Sequence, residues 1–206
     1  VYASVLRYGG IPHFLGIAKD DMESLKTKLN QGLGSDMLLT SAGVSKGDYD
    51  VVKDVLAYMG KIEFWSVRMR PAKPFAFGFI ETPDGKKLPH LGLPGNPVSS
   101  MVAFSQFGRA AIRKMMGLPD LGIPTVEAIL EDNIENFDGR RVYARVTITK
   151  RDGSYYARST GEQGSNILTS MVHANGLAIC PEHTNQKRSG EVVVVQMLDW
   201  SEDVFR

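Results

Sequence analysis

Along this chain the spacing of apolar residues changes near residue 120. Before that point, stretches with a helical period alternate with short apolar runs. Residues 1–6 read as a short helix stopped by Gly9-Gly10, and residues 11–17 as a strand ending at Lys19-Asp20-Asp21. Asp20 or Asp21 can cap the next helix, where Leu25, Leu29 and Leu33 recur at intervals of four and lay one stripe on a core. Met37-Leu38-Leu39 is a short buried strand, and Val51, Val52, Val55 and Leu56 mark the helix after it. A strand over 62–69 is followed by Arg70-Pro71-Ala72-Lys73-Pro74. Strands over 75–80 and 88–93 pair through the turn Pro83-Asp84-Gly85, which makes the sheet mixed. Asn96 and Pro97 are N-cap and first-turn residues for a long helix with Val98, Val102, Phe104, Ile112 and Met115 on its apolar face, stopped at Gly117-Leu118-Pro119.

From residue 123 onward the elements are short strands with turns between them, over 126–130, 141–149, 155–158, 176–180 and 191–197. The expected organisation is an α/β domain over 1–117, a joint at 118–122 and a small all-β domain over 122–206. The first domain is expected to hold a mixed, mostly parallel sheet with flanking helices. Ligands of such sheets bind beyond the carboxyl ends of the strands. Asp20-Asp21 and the loops starting at Ser41, Arg70 and Leu93 each follow a strand, so they are expected to line one edge.

Composition narrows the function classes. The chain has 206 residues, 43% hydrophobic and 23% charged, the balance of an ordinary packed protein. Its net charge of +1 gives no global attraction to nucleic acid or an anionic membrane, so any bound anion must be held locally. A single cysteine, Cys180, excludes an internal disulfide framework and fits a reducing compartment. No run approaches the length of a membrane helix and no signal-peptide pattern opens the chain, so a cytoplasmic location is expected. The first residue is Val1, and the helix it enters has no capping residue, which reads as a chain cut from something longer.

Candidate chemistry gathers in the loops. In Ser41-Ala42-Gly43-Val44-Ser45-Lys46-Gly47-Asp48, Gly43 and Gly47 permit close backbone approach, and the Ser41 and Ser45 hydroxyls can donate to an anion at the start of a helix. It lacks the Gly-Lys-Ser/Thr ending of a P-loop, and a tight strand-to-helix turn accounts for it equally well. Leu93-Pro94-Gly95-Asn96-Pro97-Val98-Ser99-Ser100 offers a second helix amino terminus. Arg68, Arg70 and Lys73 supply positive charge, or a solvated strand face. Asp20, Asp21, Asp48 and Asp50 suit magnesium, which takes one or two carboxylates plus phosphates and water, although Asp21 and Asp48 also suit helix caps. Histidines 13, 90, 173 and 183 show no metal-ligand spacing. The residues alone indicate a phosphorylated small ligand with a divalent cation, and no reaction.

The order Thr40 to Asp50, then Arg70-Pro71-Ala72-Lys73-Pro74-Phe75-Ala76-Phe77-Gly78, then Leu93 to Ser99 resembles the molybdopterin molybdenumtransferase family, which includes bacterial MoeA and the E domain of gephyrin. Asp20-Asp21, Gly164-Ser165, Leu168, Ser170-Met171 and Ala174-Asn175-Gly176-Leu177 extend the resemblance over nearly the whole chain. It implies an α/β domain of the molybdopterin-adenylyltransferase type followed by a small β-barrel. It implies insertion of molybdate into adenylated molybdopterin with magnesium-assisted release of AMP, in a homodimer working with molybdopterin adenylyltransferase. Asp20 and Asp50 match acidic site residues that would hold magnesium, and Arg70 would join them in catalysis. Ser41, Gly43, Ser45, Gly47, Lys73, Pro94, Gly95, Asn96, Pro97 and Ser99 would line the ligand pocket. Arg145 and Ser165 match positions that face the site across a dimer interface or near it.

The chain departs from the family at two positions that are commonly lysine, here Ser66 and Arg70, which leaves molybdate and tungstate both open as substrates. The family's α/β domain also opens with a strand bearing a Thr-Gly-Asp-Glu-Leu type motif, preceded by two further domains. This sequence has none of these, so its sheet is expected to lack a first strand and the chain alone to turn over little or not at all. The alternatives are a molybdopterin adenylyltransferase, which would need ATP, and a non-enzymatic scaffold or binding domain.

Overall fold

The computed structural model describes residues 1–44 and 49–200, with the side chains of residues 49, 50, 51 and 53 outside the description. In chain order the first elements are α1 (Tyr2–Arg7), α2 (Met22–Gln31), β1 (Leu38–Ser41), α3 (Tyr49–Met59), β2 (Gly60–Ser66), β3 (Met69–Arg70), β4 (Pro74–Glu81) and β5 (Lys87–Leu93). Then come α4 (Pro97–Ala103), a π-helical turn (Phe104–Gly108), α5 (Arg109–Met115), β6 (Thr125–Leu130), β7 (Ile134–Glu135), β8 (Arg141–Arg151) and β9 (Ser154–Ser159). The last are α6 (Leu168–Val172), β10 (Gly176–Cys180), β11 (Gln186–Lys187) and β12 (Val192–Met197). Two compact units result. The first comprises residues 1–67 and 72–119, the second residues 68–71 and 120–206.

The first unit holds a four-stranded sheet in the order β1-β5-β4-β2. It is mixed, as the β4–β5 hairpin requires, but only β1–β5 is parallel, while β5–β4 and β4–β2 are antiparallel. The expectation of a mostly parallel sheet is therefore corrected for the described strands. The connections over 67–73 and 82–86 are too short for the crossover of a dozen or more residues that parallel neighbours need. The expected strand over 11–17 has no ladder among the described residues either. Ile11, Phe14 and Ile17 are 84%, 77% and 87% exposed, and only Leu15 packs on the core. An apolar pattern can favour extended backbone, but a ladder needs a neighbour, and the only described neighbour of β1 is β5.

On one face of this sheet, Ile80 and Leu88 pack with Leu29 of α2, Leu38 of β1 and Val55 and Leu56 of α3. Leu25 and Leu33 flank that core half-buried, so the stripe of leucines does face inward. Asp21 caps α2, its Oδ1 accepting from the Ser24 amide at 2.7 Å. Asn96 caps α4 in the same way, with Pro97 in the first turn. The long helix expected after it is interrupted by the π-helical turn, where a Cβ on Gly108 would stand 2.7 Å from the Phe104 ring. Phe107 from that turn packs on Phe75 of β4 with ring centroids 4.5 Å apart.

In the second unit β10, β12, β6, β9 and β8 follow one another, and β8 pairs back with β10, closing a five-stranded barrel. Residues 142, 144, 146 and 148 of β8 point inward, with Ala128, Leu130, Ala157, Ala178, Cys180, Val193 and Val195. Strand β3 adds to the start of β8 in parallel, and β7 pairs with β11. No helix among the described residues is long and apolar enough to cross a membrane.

Candidate functional site

The parallel pairing of β1 with β5 brings two of the expected loops together. Ser41 stands opposite Leu93 at the end of the ladder, and the Ala42 amide donates to the Leu93 carbonyl at 3.1 Å. A Cβ on Gly95 would lie 3.1 Å from the Ala42 Cβ, so the glycine permits this close approach. Ala42 and Gly43 both have positive φ, 82° and 74°. At Gly43 a side chain is excluded twice, by that φ and by Val52, whose nearest methyl would stand 2.5 Å from an added Cβ. Ser41, Gly43, Pro94, Gly95, Asn96 and Pro97 thus gather at one end of β1 and β5, in two strand-to-helix turns. Of these, Ser41, Gly95 and Pro97 are exposed.

Ser99 is 7% exposed, its amide donating to Asn96 Oδ1 at 3.1 Å. Ser45 and Gly47 lie outside the described residues. Asp50 is in the first turn of α3, its side chain likewise outside the description. Asp20 is exposed in the bend ahead of α2. Among the described residues no group of three or more His, Cys, Asp and Glu side chains stands ready to hold a metal. Lys73 is exposed, and its carbonyl accepts from the Val67 amide at 2.8 Å.

Arg70, Arg145 and Ser165 belong to the second unit. Arg70 was expected on a loop beyond the first sheet; it lies instead in β3, paired with Val142 of the barrel. Its guanidinium donates to the Glu135 carbonyl and lies 4.0 Å from Asp138. Arg140's hydrogen bond to Asp138, with lesser help from the Arg70 charge, holds that carboxyl below the usual range.

Arg145 is 1% exposed, although it sits on the outward face of β8 opposite Leu177. The segment after β9 covers it. Its guanidinium donates to Ser170 Oγ at 3.0 Å, to the Gly164 carbonyl at 3.0 Å and to the Glu162 carbonyl at 3.4 Å. These partners are all neutral, and burial lowers its pKa from the ordinary arginine value. Ser165 is half-buried in the turn that this clamp holds.

Two residues at the loops have structural roles that the sequence did not mark. His90 is completely buried, with its Nε2 and Thr40 Oγ1 hydrogen-bonded at 3.0 Å, tying β5 to β1 just below Ser41. Burial pushes its pKa down to about 4, so the imidazole is neutral at neutral pH. Ala42 is the other, as the left-handed residue against which Gly95 rests. The signal for His90 was its place in the apolar run of 88–93, on the same face as Leu88.

Comparison with known proteins supplies the family. Residues 1–114 match the family model described as a probable molybdopterin binding domain. Residues 127–198 match the MoeA C-terminal region, domain IV. The chain belongs to the molybdopterin molybdenumtransferase family. Within that family, a molybdopterin molybdenumtransferase of Nostoc is 34% identical over 200 residues, covering 95% of this chain and 45% of the relative. Gephyrin of Dictyostelium discoideum is 36% identical over 201 residues, covering 88% of the chain and 28% of the relative. Among solved structures, a molybdopterin biosynthesis MoeA protein from Pyrococcus horikoshii superposes with a TM-score of 0.77 at 26% identity, over 97% of this chain and 46% of that one. The chain thus spans less than half the length of each of these three.

Proposed function

We propose that this chain is the part of a molybdenum-cofactor enzyme that holds adenylated molybdopterin while molybdate is inserted and AMP leaves. The observation that carries the proposal is the junction of the Ser41 and Leu93 turns in a member of this family. Backbone amides at the start of α4 can receive phosphate oxygens, and Gly95 lets the Leu93 turn close against Ala42 of the Ser41 turn. The Ser41 hydroxyl adds a neutral donor and the exposed Lys73 side chain a cationic one. By their resemblance to family site positions, Ser165 is a proposed ligand residue of the second unit and Arg70 a catalytic one, while buried Arg145 is proposed to hold the turn that carries Ser165.

Asp20 and Asp50 would hold a magnesium ion, whose chemistry when bound is to neutralise charge on the phosphoanhydride. Their oxygen donors fit such an ion in type. The remaining work of the chain is placement and charge: holding the pterin in one orientation and offering cationic side chains to the incoming oxyanion.

The proposal extends to a cytoplasmic homodimer of the full-length protein, receiving adenylated molybdopterin from an adenylyltransferase. Its test is conversion of adenylated molybdopterin by the full-length protein in the presence of molybdate and magnesium. Loss of AMP release in Asp50→Asn with pterin binding retained supports the proposal. Activity that needs ATP instead points to the adenylyltransferase reaction and removes it.

A further inference from the structure

The turn that follows β1 has two unlike halves. Ser41 and Ala42 are exposed, whereas Gly43 and Val44 are buried, Val44 to 6%. Ala42 has a φ of 82°, a backbone conformation that an alanine does not hold unless its surroundings impose it. The buried half supplies those surroundings. Across the sheet the register sets Thr40, Gly92 and Ala76 side by side, and the middle residue has no side chain. Val44 fills the space left open. A Cβ on Gly92 would stand 2.9 Å from Val44 Cγ1, 2.9 Å from the Ala76 Cβ and 3.5 Å from His90 Cε1. Thr40 and His90 are themselves tied by the 3.0 Å hydrogen bond between Oγ1 and Nε2, which holds the two strands beneath this seat together. On the α3 side, Val52 lies so close over Gly43 that a Cβ there would meet its methyl at 2.5 Å.

We propose that Val44 is the positioning residue of this turn: seated over Gly92, it fixes where Ser41 and Ala42 stand at the end of β1. Its importance for binding rests on the reading that this turn holds the pterin nucleotide, since groups that receive a ligand must be held to within about half an ångström. Val44 touches no ligand in this scheme and acts through the exposed half of the turn. What the seat requires is the shape of the side chain. Threonine keeps the branched outline of valine, so it is expected to hold the turn, although burying its hydroxyl costs stability. Alanine lacks both γ carbons and leaves the seat empty.

The test compares Val44→Ala with Val44→Thr in the 206-residue chain, by urea unfolding, by amide exchange and by calorimetric titration of adenylated molybdopterin. Both variants are expected to unfold at lower urea than the unchanged chain, alanine through its cavity and threonine through its buried hydroxyl. Only alanine frees the turn. Its affinity for the ligand is expected to fall about tenfold, while that of the threonine variant stays within about twofold. The Ala42 amide, bonded to the Leu93 carbonyl at 3.1 Å, is expected to exchange about tenfold faster with alanine and within about twofold of the unchanged rate with threonine. A merely structural role would move both variants alike, because both lose stability. Circular dichroism checks each fold; where alanine does not fold, Val44→Cys replaces it, keeping one γ atom and expected to show about a fivefold change. Equal losses in the two variants overturn the proposal, and so does an alanine variant that binds and exchanges like the unchanged chain. If the unchanged chain does not bind the ligand, the function proposed above fails, and the exchange rates alone decide the role of Val44.

Discussion

Arg145 offers the sharpest test of the second unit, through a comparison of Arg145→Met with Arg145→Lys. Its three guanidinium hydrogen bonds have a charged donor, for which about 1.5–3 kcal/mol each is typical, or very roughly 5–9 kcal/mol together. Methionine gives back much of that. It removes a charge that is 1% exposed among neutral partners, whose desolvation costs several kcal/mol. Two of the three acceptors also keep other bonds, since Gly164 still accepts from the Ile167 amide and Ser170 Oγ still donates to the Ile167 carbonyl. The net loss expected for methionine is about 2–3 kcal/mol. Lysine keeps the buried charge and loses the planar fork, so it is expected to cost about 1–2 kcal/mol more than methionine. The assay is urea unfolding followed by Trp200, which packs against Tyr155 of the barrel, in a Trp65→Phe background. Amide exchange at Thr160, Ile167 and Ser170 should quicken in both variants. A lysine variant more stable than the methionine one would refute the reasoning, because it would mean that the charge itself is favourably partnered.

Three further outcomes follow from the first unit. His90 is neutral and buried, with a folded pKa of about 4 against an ordinary value of 6.5. The unfolded chain therefore takes up the proton first, so this contribution is complete above about pH 6.5 and is lost as pH falls toward 4, at up to about 1.4 kcal/mol per pH unit. Urea titrations should show that slope, and His90→Gln should abolish it. Gly78→Ala would push a Cβ to 2.0 Å from the Lys61 carbonyl oxygen, so a loss of about 3 kcal/mol or more is expected in thermal unfolding. Asn96→Ala removes the acceptor for the Ser99 amide and should cost about 1 kcal/mol.

What was legible in the sequence was largely local. The Asn96-Pro97 helix start, the Asp21 cap and the hairpin around Pro83-Asp84-Gly85 each depend on residues within a few positions, and each formed as the pattern indicated. Partners chosen from far along the chain were not legible. Nothing near Met69-Arg70 says that these residues pair with the start of β8, seventy residues on, or that Ile134-Glu135 pairs with Gln186-Lys187. A strand over 141–149 could be expected, but not that Arg145 on its outward face would be buried, because residues 162–170 fold over it. The same limit explains residues 11–17, where an apolar pattern gave no ladder. At the candidate site, the two loops could be read as anion seats one at a time, but their contact at Ala42 and Gly95 depends on the parallel register of β1 and β5.

The central claim is that those two turns together hold the pterin. Calorimetric titration of adenylated molybdopterin into the chain tests it most directly, with Gly95→Val set against the unchanged protein. A valine there puts its Cβ about 3.1 Å from the Ala42 Cβ and forces the two turns apart. The account predicts binding by the unchanged chain and a loss of at least about tenfold in Gly95→Val, with circular dichroism unchanged. Equal affinity of the two proteins for the ligand would contradict it.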